Sequence, residues 1–170
     1  MKTTSAFGQV GKAIQDEGRI VIVQGGTSAG KTYAVLQYLI LAAHKNRLEG
    51  LISIVSESLP HLRRGAMRDF FTILTSNDMY VARQHNKSSH TYKIKNATFE
   101  FFSADQGDKL RGARRDYLFV NEANNISYEA WSELFIRTRK WSIIDFNPVS
   151  EFWAHTEILG HPEEDFRDKI

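Results

Sequence analysis

The 170-residue sequence has no cysteine, only three prolines and no long uninterrupted apolar run. Without cysteine there is no disulfide framework, no Cys-ligated zinc and no thiol nucleophile. The six histidines form no H-E-x-x-H pattern, which argues against a zinc hydrolase. The longest apolar stretch, residues 33–43, is interrupted by Gln37 and is too short to span a bilayer, so no membrane partner is expected. The opening MKTTSAFGQVGK carries no apolar h-region, and a secretory leader is not expected from it. Charge of one sign is missing as well. The 22 Lys+Arg against 20 Asp+Glu leave a formal +2, so any nucleic-acid contact has to come from local patches. What is present is ordinary globular composition, 42% hydrophobic and 25% charged, in a length suited to one domain over residues 1–170. A soluble, intracellular type of protein is expected.

No internal repeat and no low-complexity tract interrupts the chain. RIVIVQ at residues 19–24 is a β-branched run ending at Gly25-Gly26 and reads as a buried strand. Residues 31–46 hold alanines and leucines without a breaker and predict a helix buried on most sides. Residues 51–55 predict a second strand, and Pro60 opens a helix on which Leu62, Met67, Phe70, Phe71 and Leu74 recur near helical spacing. Residues 90–95 and 98–102 alternate around Asn96-Ala97 as a hairpin does. YLFV at 117–120 and WSIIDF at 141–146 predict further core strands. Between them Ser127 caps a helix running through Trp131 and Phe135 to Arg139. The last ten residues, mixing Glu163, Glu164, Asp165 and Asp168 with Arg167 and Lys169, predict a solvated end. Continuous apolar strands alternating with helices imply an α/β fold with a mainly parallel sheet covered by helices on both faces.

Gly25-Gly26-Thr27-Ser28-Ala29-Gly30-Lys31-Thr32 matches G-x-x-x-x-G-K-[ST] in full, after a predicted strand and at the start of a predicted helix. Glycines let the backbone curl so that successive N–H groups face an anion, and the helix that follows adds the positive end of its dipole. Lys31 is expected at the β- and γ-phosphates of ATP, and the Thr32 hydroxyl on Mg²⁺. The fold class implied is that of a P-loop NTPase.

Such a fold needs a carboxylate at the end of a neighbouring apolar strand. Glu122, directly after Tyr117-Leu118-Phe119-Val120-Asn121, stands at that edge and is expected to orient or deprotonate water, which points to hydrolysis. Asn121 takes the place usually held by Asp. Its amide oxygen can accept a hydrogen bond from a Mg²⁺-bound water but brings no charge, so a weaker metal site resting more on Glu122 is expected.

Before that strand, residues 108–115 hold four cations against one anion. One reading is a solvated loop. The other is that Arg111, freed by Gly112, stabilises γ-phosphate charge on a neighbouring subunit. Arg114 and Arg115 can pair with Asp116 or touch a DNA phosphate. Arg63, Arg64 and Arg68 form a second basic group, read as a solvated helix face or, secondarily, a DNA or partner contact. Asn147 can sense the γ-phosphate or cap the turn before Pro148.

The segments GGTSAGKT, SESLPHLRRGAMRDFF, TFEFFSADQGDKLRG, DYLFVNEANNIS and IIDFNPVSEFWAH, in that order, resemble the ATPase half of phage terminase large subunits, nearest the PBSX-like branch. The resemblance implies an ASCE/RecA-like fold and an ATP-driven motor that moves double-stranded DNA into procapsids. It implies Glu122 as the catalytic carboxylate, Arg111 as the arginine offered to a neighbour's nucleotide, and Asp145-Phe146-Asn147-Pro148 as the coupling motif. It further implies a homo-oligomeric ring at the portal in the host cytoplasm, a small terminase subunit, and a nuclease domain or subunit as partners. Gln9, behind Phe7, is read either as the counterpart of the glutamine that contacts adenine in the broader fold or as a surface residue. Two features depart from the family. Ser28 stands where many members have a P-loop arginine, and the sequence given ends at Ile170, before the family's linker and nuclease. An ATPase fragment or split subunit with no cutting activity of its own is therefore expected. A P-loop kinase or small-molecule NTPase, and a non-catalytic nucleotide-binding assembly module, are the alternative functions the residues allow.

Overall fold

Among the described residues there are eight strands, the longer ones built from β-branched and aromatic runs: β1 (Ile20–Gln24), β2 (Gly50–Ser56), β3 (His85–Asn86), β4 (Thr91–Ile94), β5 (Ala97–Ser103), β6 (Arg115–Val120), β7 (Thr138–Phe146) and β8 (Asp168–Lys169). They make one sheet in the order β3-β4-β5-β2-β6-β7-β1-β8. The computed structural model describes residues 5–15, 19–26, 30–112, 114–159 and 168–169. Pairing is parallel from β5 through β2, β6, β7 and β1 to β8, and antiparallel in the β3-β4-β5 meander. The hairpin turns at Lys95, which has a φ of 50°. A mainly parallel α/β sheet is therefore what the chain forms. β7 lies between the strand that leads into the glycine loop (β1) and the strand that ends at Asn121-Glu122 (β6).

Both faces of the sheet are buried, which is why the central strands read as unbroken apolar runs. Val21, Tyr117, Phe119 and Ile143 face one core with α1 (Ser5–Gln15), α2 (Lys31–His44), α3 (Leu59–Arg64) and α4 (Ala66–Ser76). Their neighbours Ile20, Ile22, Leu118, Val120 and Ile144 face a second core with α6 (Tyr128–Ile136) and a π-helical turn at Ala154–Leu159. Each such side chain contributes about 1.5–3 kcal/mol on full burial. Within α2, Val35, Leu36, Leu39, Ile40 and Ala43 are completely buried, so the helix that starts at the glycine loop is held as firmly as the strand before it.

Several elements differ from expectation for identifiable reasons. The helix opened by Pro60 is two helices, α3 and α4, broken at Gly65; Ser58 Oγ caps the first by accepting from His61 N–H at 3.4 Å. The Ser127 cap holds, with Oγ accepting from Ala130 N–H at 3.2 Å, but α6 ends at Ile136 and β7 begins at Thr138. Thr138 is buried and its hydroxyl donates to Leu134 O, fixing the turn from helix to strand. Helix α1 was not expected; Ala6, Val10, Ala13 and Ile14 recur at helical spacing in it, with Val10 and Ala13 buried. At the expected solvated end, Asp168 and Lys169 pair in parallel with Ile20 and Val21, and residues 160–167 lie outside the described residues. No helix among the described residues is long and apolar enough to cross a membrane.

Candidate functional site

The C-terminal ends of β1, β6 and β7 converge on the start of α2, the edge where open α/β sheets collect ligands. Gly30 precedes α2 with φ +65°, a conformation that favours glycine and turns the first helical residues inward. A cavity of about 160 Å³ opens there, lined by Gly30, Lys31, Thr32, Tyr33, Asp69, Glu122, Asp145, Phe146 and Asn147. Thr27, Ser28 and Ala29 lie outside the described residues.

Lys31 is buried, and its ammonium donates to Gly25 O (2.7 Å), Gly26 O (3.0 Å) and Asn147 Oδ1 (2.7 Å). The lysine is thus folded onto its own loop and tied to the end of β7. Asn147, for which two readings stood, places its amide oxygen on Lys31 within the cavity.

Glu122 also lines the cavity. It sits just past β6 with φ 55° and ψ 56°, the left-handed region that costs a non-glycine residue on the order of 1–3 kcal/mol. Four contacts hold it there: its N–H donates to Asp145 Oδ1 (2.7 Å), its carbonyl accepts from Asn125 N–H (2.9 Å), and its carboxylate meets His61 Nε2 (2.7 Å) and Asn125 Nδ2 (3.2 Å). Glu122 also lines a second hollow, with His61, Arg64, Gly65 and Arg68, so Arg64 of α3 and Arg68 of α4 open beside the candidate base.

The carboxylate beside Thr32 is that of Asp145, which the resemblance had placed only in the coupling motif. It is 1% exposed, at the end of β7, and accepts from Thr32 Oγ1 (2.5 Å), from Asn121 Nδ2 (3.0 and 3.3 Å) and from the Glu122 N–H. Burial pushes its carboxyl above the ordinary carboxylate range, opposed by those hydrogen bonds and by the charge of Lys31. The signal was an acid inside the otherwise apolar run WSIIDF, at the strand end nearest the glycine loop. Asn121 is buried beside it and donates to Thr32 Oγ1 at 3.0 Å, while its Oδ1 accepts from Ser56 Oγ at 3.2 Å. The carboxylate in contact with Thr32 is therefore that of Asp145, whereas the charge balance of an Asn121 site had been expected to rest on Glu122.

Other expected residues fall elsewhere. Arg111 is exposed after α5 (Gly107–Leu110) and lines a separate groove with Asp108, Ser127, Glu129 and Glu133, away from its own chain's Lys31 cavity. Gln9 is exposed on α1 and lines a small cleft with Val23 and Gln24 of β1 rather than the Lys31 cavity. Arg115 neither pairs with Asp116 nor reaches the surface. It is 1% exposed, donates to Leu134 O (3.1 Å) and Lys109 O (3.5 Å), and lies over the Phe102 ring, because β6 turns it inward.

No family model matches the sequence, and no curated protein matches it. Solved structures do match. The large terminase of a thermophilic bacteriophage aligns at TM-score 0.77 and 17% identity over 98% of this chain and 44% of that one. The same terminase in complex with ATP-gamma-S aligns at TM-score 0.76 and 16% identity, over 97% of this chain and 43% of that one. The ATPase domain of the Thermus phage P74-26 large terminase aligns at TM-score 0.64 and 18% identity, over 94% and 75%. The chain spans less than half the length of the first of these terminases. Strand order, glycine loop and acidic strand end together give this chain the P-loop fold of phage large-terminase ATPase domains.

Proposed function

We propose that this chain is an ATP-hydrolysing motor domain of a viral DNA-packaging machine, acting on double-stranded DNA as a homo-oligomeric ring at the portal in the host cytoplasm. The observation that carries the reading is one cavity lined by both Lys31 and Glu122, the cation suited to β/γ-phosphates and the base suited to water, at the helix N-terminus of this fold. Lys31 exchanges its loop carbonyls for phosphate oxygens. Glu122 takes a proton from, or orients, the attacking water. Arg111, outside its own cavity, is offered to a neighbour's γ-phosphate.

The site fits Mg²⁺, which binds through oxygen ligands and substrate phosphates rather than an all-protein cage. The hydroxyl of Thr32 and the carboxylate of Asp145 beside it would supply that oxygen-rich edge, with the Asn121 amide donating to both. When bound, the ion neutralises charge on the β- and γ-oxygens. A small terminase subunit and a nuclease domain or subunit complete the machine in this proposal.

ATP turnover by the purified chain, measured over a wide protein concentration range with and without double-stranded DNA, tests it. Turnover that rises with concentration and with DNA is expected. Tight ATP binding with no turnover under any of these conditions, even when the remaining packaging proteins are added, overturns the motor reading.

A further inference from the structure

The nucleotide reading just given leaves open which group anchors the cation. Resting on that reading, we propose that the metal-anchoring carboxylate has been exchanged between neighbouring strands. Asp145 at the end of β7 holds the divalent ion with Thr32, and Asn121 at the end of β6, where a P-loop fold ordinarily carries this acid, is its positioning residue.

Three observations carry the exchange. First, Thr32 Oγ1, the hydroxyl suited to Mg²⁺, is hydrogen-bonded at 2.5 Å to Asp145 Oδ2, and Asp145 lines the cavity while Asn121 does not. Second, Asn121 turns its NH₂ toward both Thr32 Oγ1 and Asp145, and its oxygen is taken by Ser56 Oγ. A donor nitrogen cannot ligate a cation, but it can fix the rotamer of the acid that does. Third, the groups in hydrogen-bond contact with Asp145 are neutral: the Thr32 hydroxyl, the Asn121 amide and the Glu122 N–H. Among the described residues no cationic side chain is in ion-pair contact with it; the nearby Lys31 ammonium is committed to Gly25, Gly26 and Asn147. The carboxylate thus has no ion-pair partner among the described side chains, and that is the place a divalent ion at the cavity wall would take. Because β6 and β7 are parallel neighbours with Val120 opposite Ile144, residues 121 and 145 are side by side, so one acid and one amide can trade places without moving the backbone.

The test is the affinity of ATPγS by titration calorimetry in MgCl₂ and in EDTA, for wild type, Asp145→Asn and the double exchange Asn121→Asp/Asp145→Asn. Wild type should bind more tightly in MgCl₂. In Asp145→Asn that gain should fall by roughly 10–100-fold, the scale of losing a metal-supporting carboxylate, with the affinity in EDTA unchanged. The double exchange, which keeps one carboxylate and one amide on the same two strand ends, should regain it. An Asp145→Asn protein that keeps the wild-type gain overturns the proposal. If Asp145→Asn does not fold by circular dichroism, the double exchange decides alone: folded and binding in EDTA but gaining nothing from MgCl₂, it overturns the exchange too. A wild type that binds no ATPγS in either buffer overturns the nucleotide reading, and this inference with it. That result is distinct from nucleotide binding whose metal dependence ignores position 145.

Discussion

Lys31 Nζ and Asn147 Oδ1 are 2.7 Å apart, joining the first residue of α2 to the chain just past β7 across 116 positions of sequence. The same ammonium holds the carbonyls of Gly25 and Gly26. Under the proposed function a phosphate entering the cavity would compete for this one donor group, which would link its binding to the position of Asn147. Asn147 follows the strand end that carries Asp145 two residues earlier.

Lys31→Ala should abolish tight ATP binding. It removes the cation from the cavity while leaving a good helix former at the start of α2. Calorimetry on the folded variant checks this, and near-normal affinity would refute the phosphate role of the loop.

Glu122→Gln should keep ATP binding and lose hydrolysis by on the order of 10²-fold or more, the scale of a missing general base. The amide preserves size and can still meet Asn125 and His61, and the backbone N–H to Asp145 is untouched. Single-turnover assays with bound ATP separate the chemical step from binding.

How much of this was legible follows from where each residue sits. Strands β1, β2, β6 and β7 are buried on both faces, so their apolar runs stand out in sequence. The glycine loop is a local motif and reads directly. What did not read are relationships set by tertiary contact. The break at Gly65 separates two helices that share one apolar stripe, and the stripe gave no warning of it. Arg115 looked like one more cation in a basic loop, yet it begins a strand whose alternation points it at Leu134 O and Phe102. Asp145 was visible as an acid in a core strand. Its contact with Thr32, however, depends on β7 being inserted between β1 and β6, which is a property of the sheet order.

Gly50→Ala should destabilise the fold with no effect on the site. Gly50 opens β2 with φ +91°, and a Cβ there would stand 2.1 Å from Asp116 Oδ2, whose carboxylate accepts from Leu51 N–H at 2.9 Å. Backbone strain alone costs about 1–3 kcal/mol, and displacing Asp116 adds the loss of that hydrogen bond. Urea denaturation should show a lowered midpoint, with the nucleotide affinity of the folded fraction retained.

Acid should weaken the fold through two histidines. Burial, aided by Lys95, holds His44 below the ordinary 6.5, and burial, aided by Lys87 and His90, does the same for His85. A lowered histidine pKa means that the folded state prefers the neutral ring. This stabilisation is fully present above 6.5 and is lost as pH falls through the lower folded values. Asp145, raised by burial, contributes with the opposite sign, so the readout is the difference between wild type and the His44→Gln and His85→Gln variants. Urea midpoints measured from neutral pH downward should fall less steeply in the variants; parallel curves would refute the assignment.

Arg111 separates a ring motor from a self-sufficient enzyme. It is exposed and lines a groove with Ser127 and Glu133, whereas Lys31 and Glu122 of the same chain line another cavity. If it serves a neighbour, Arg111→Ala should bind ATP through its intact loop but hydrolyse it poorly, by a factor on the order of 10³ if it behaves as trans-acting arginines do. Mixing is the sharper measurement. Glu122→Gln subunits keep the arginine and lack the base; Arg111→Ala subunits keep the base and lack the arginine. Combined under assembling conditions, the two inactive proteins should regain ATPase where a good Glu122 meets a good Arg111 across an interface. A mixture as inactive as its parts, alongside an active wild type, would mean that Arg111 acts within its own chain or only in the structure of the groove.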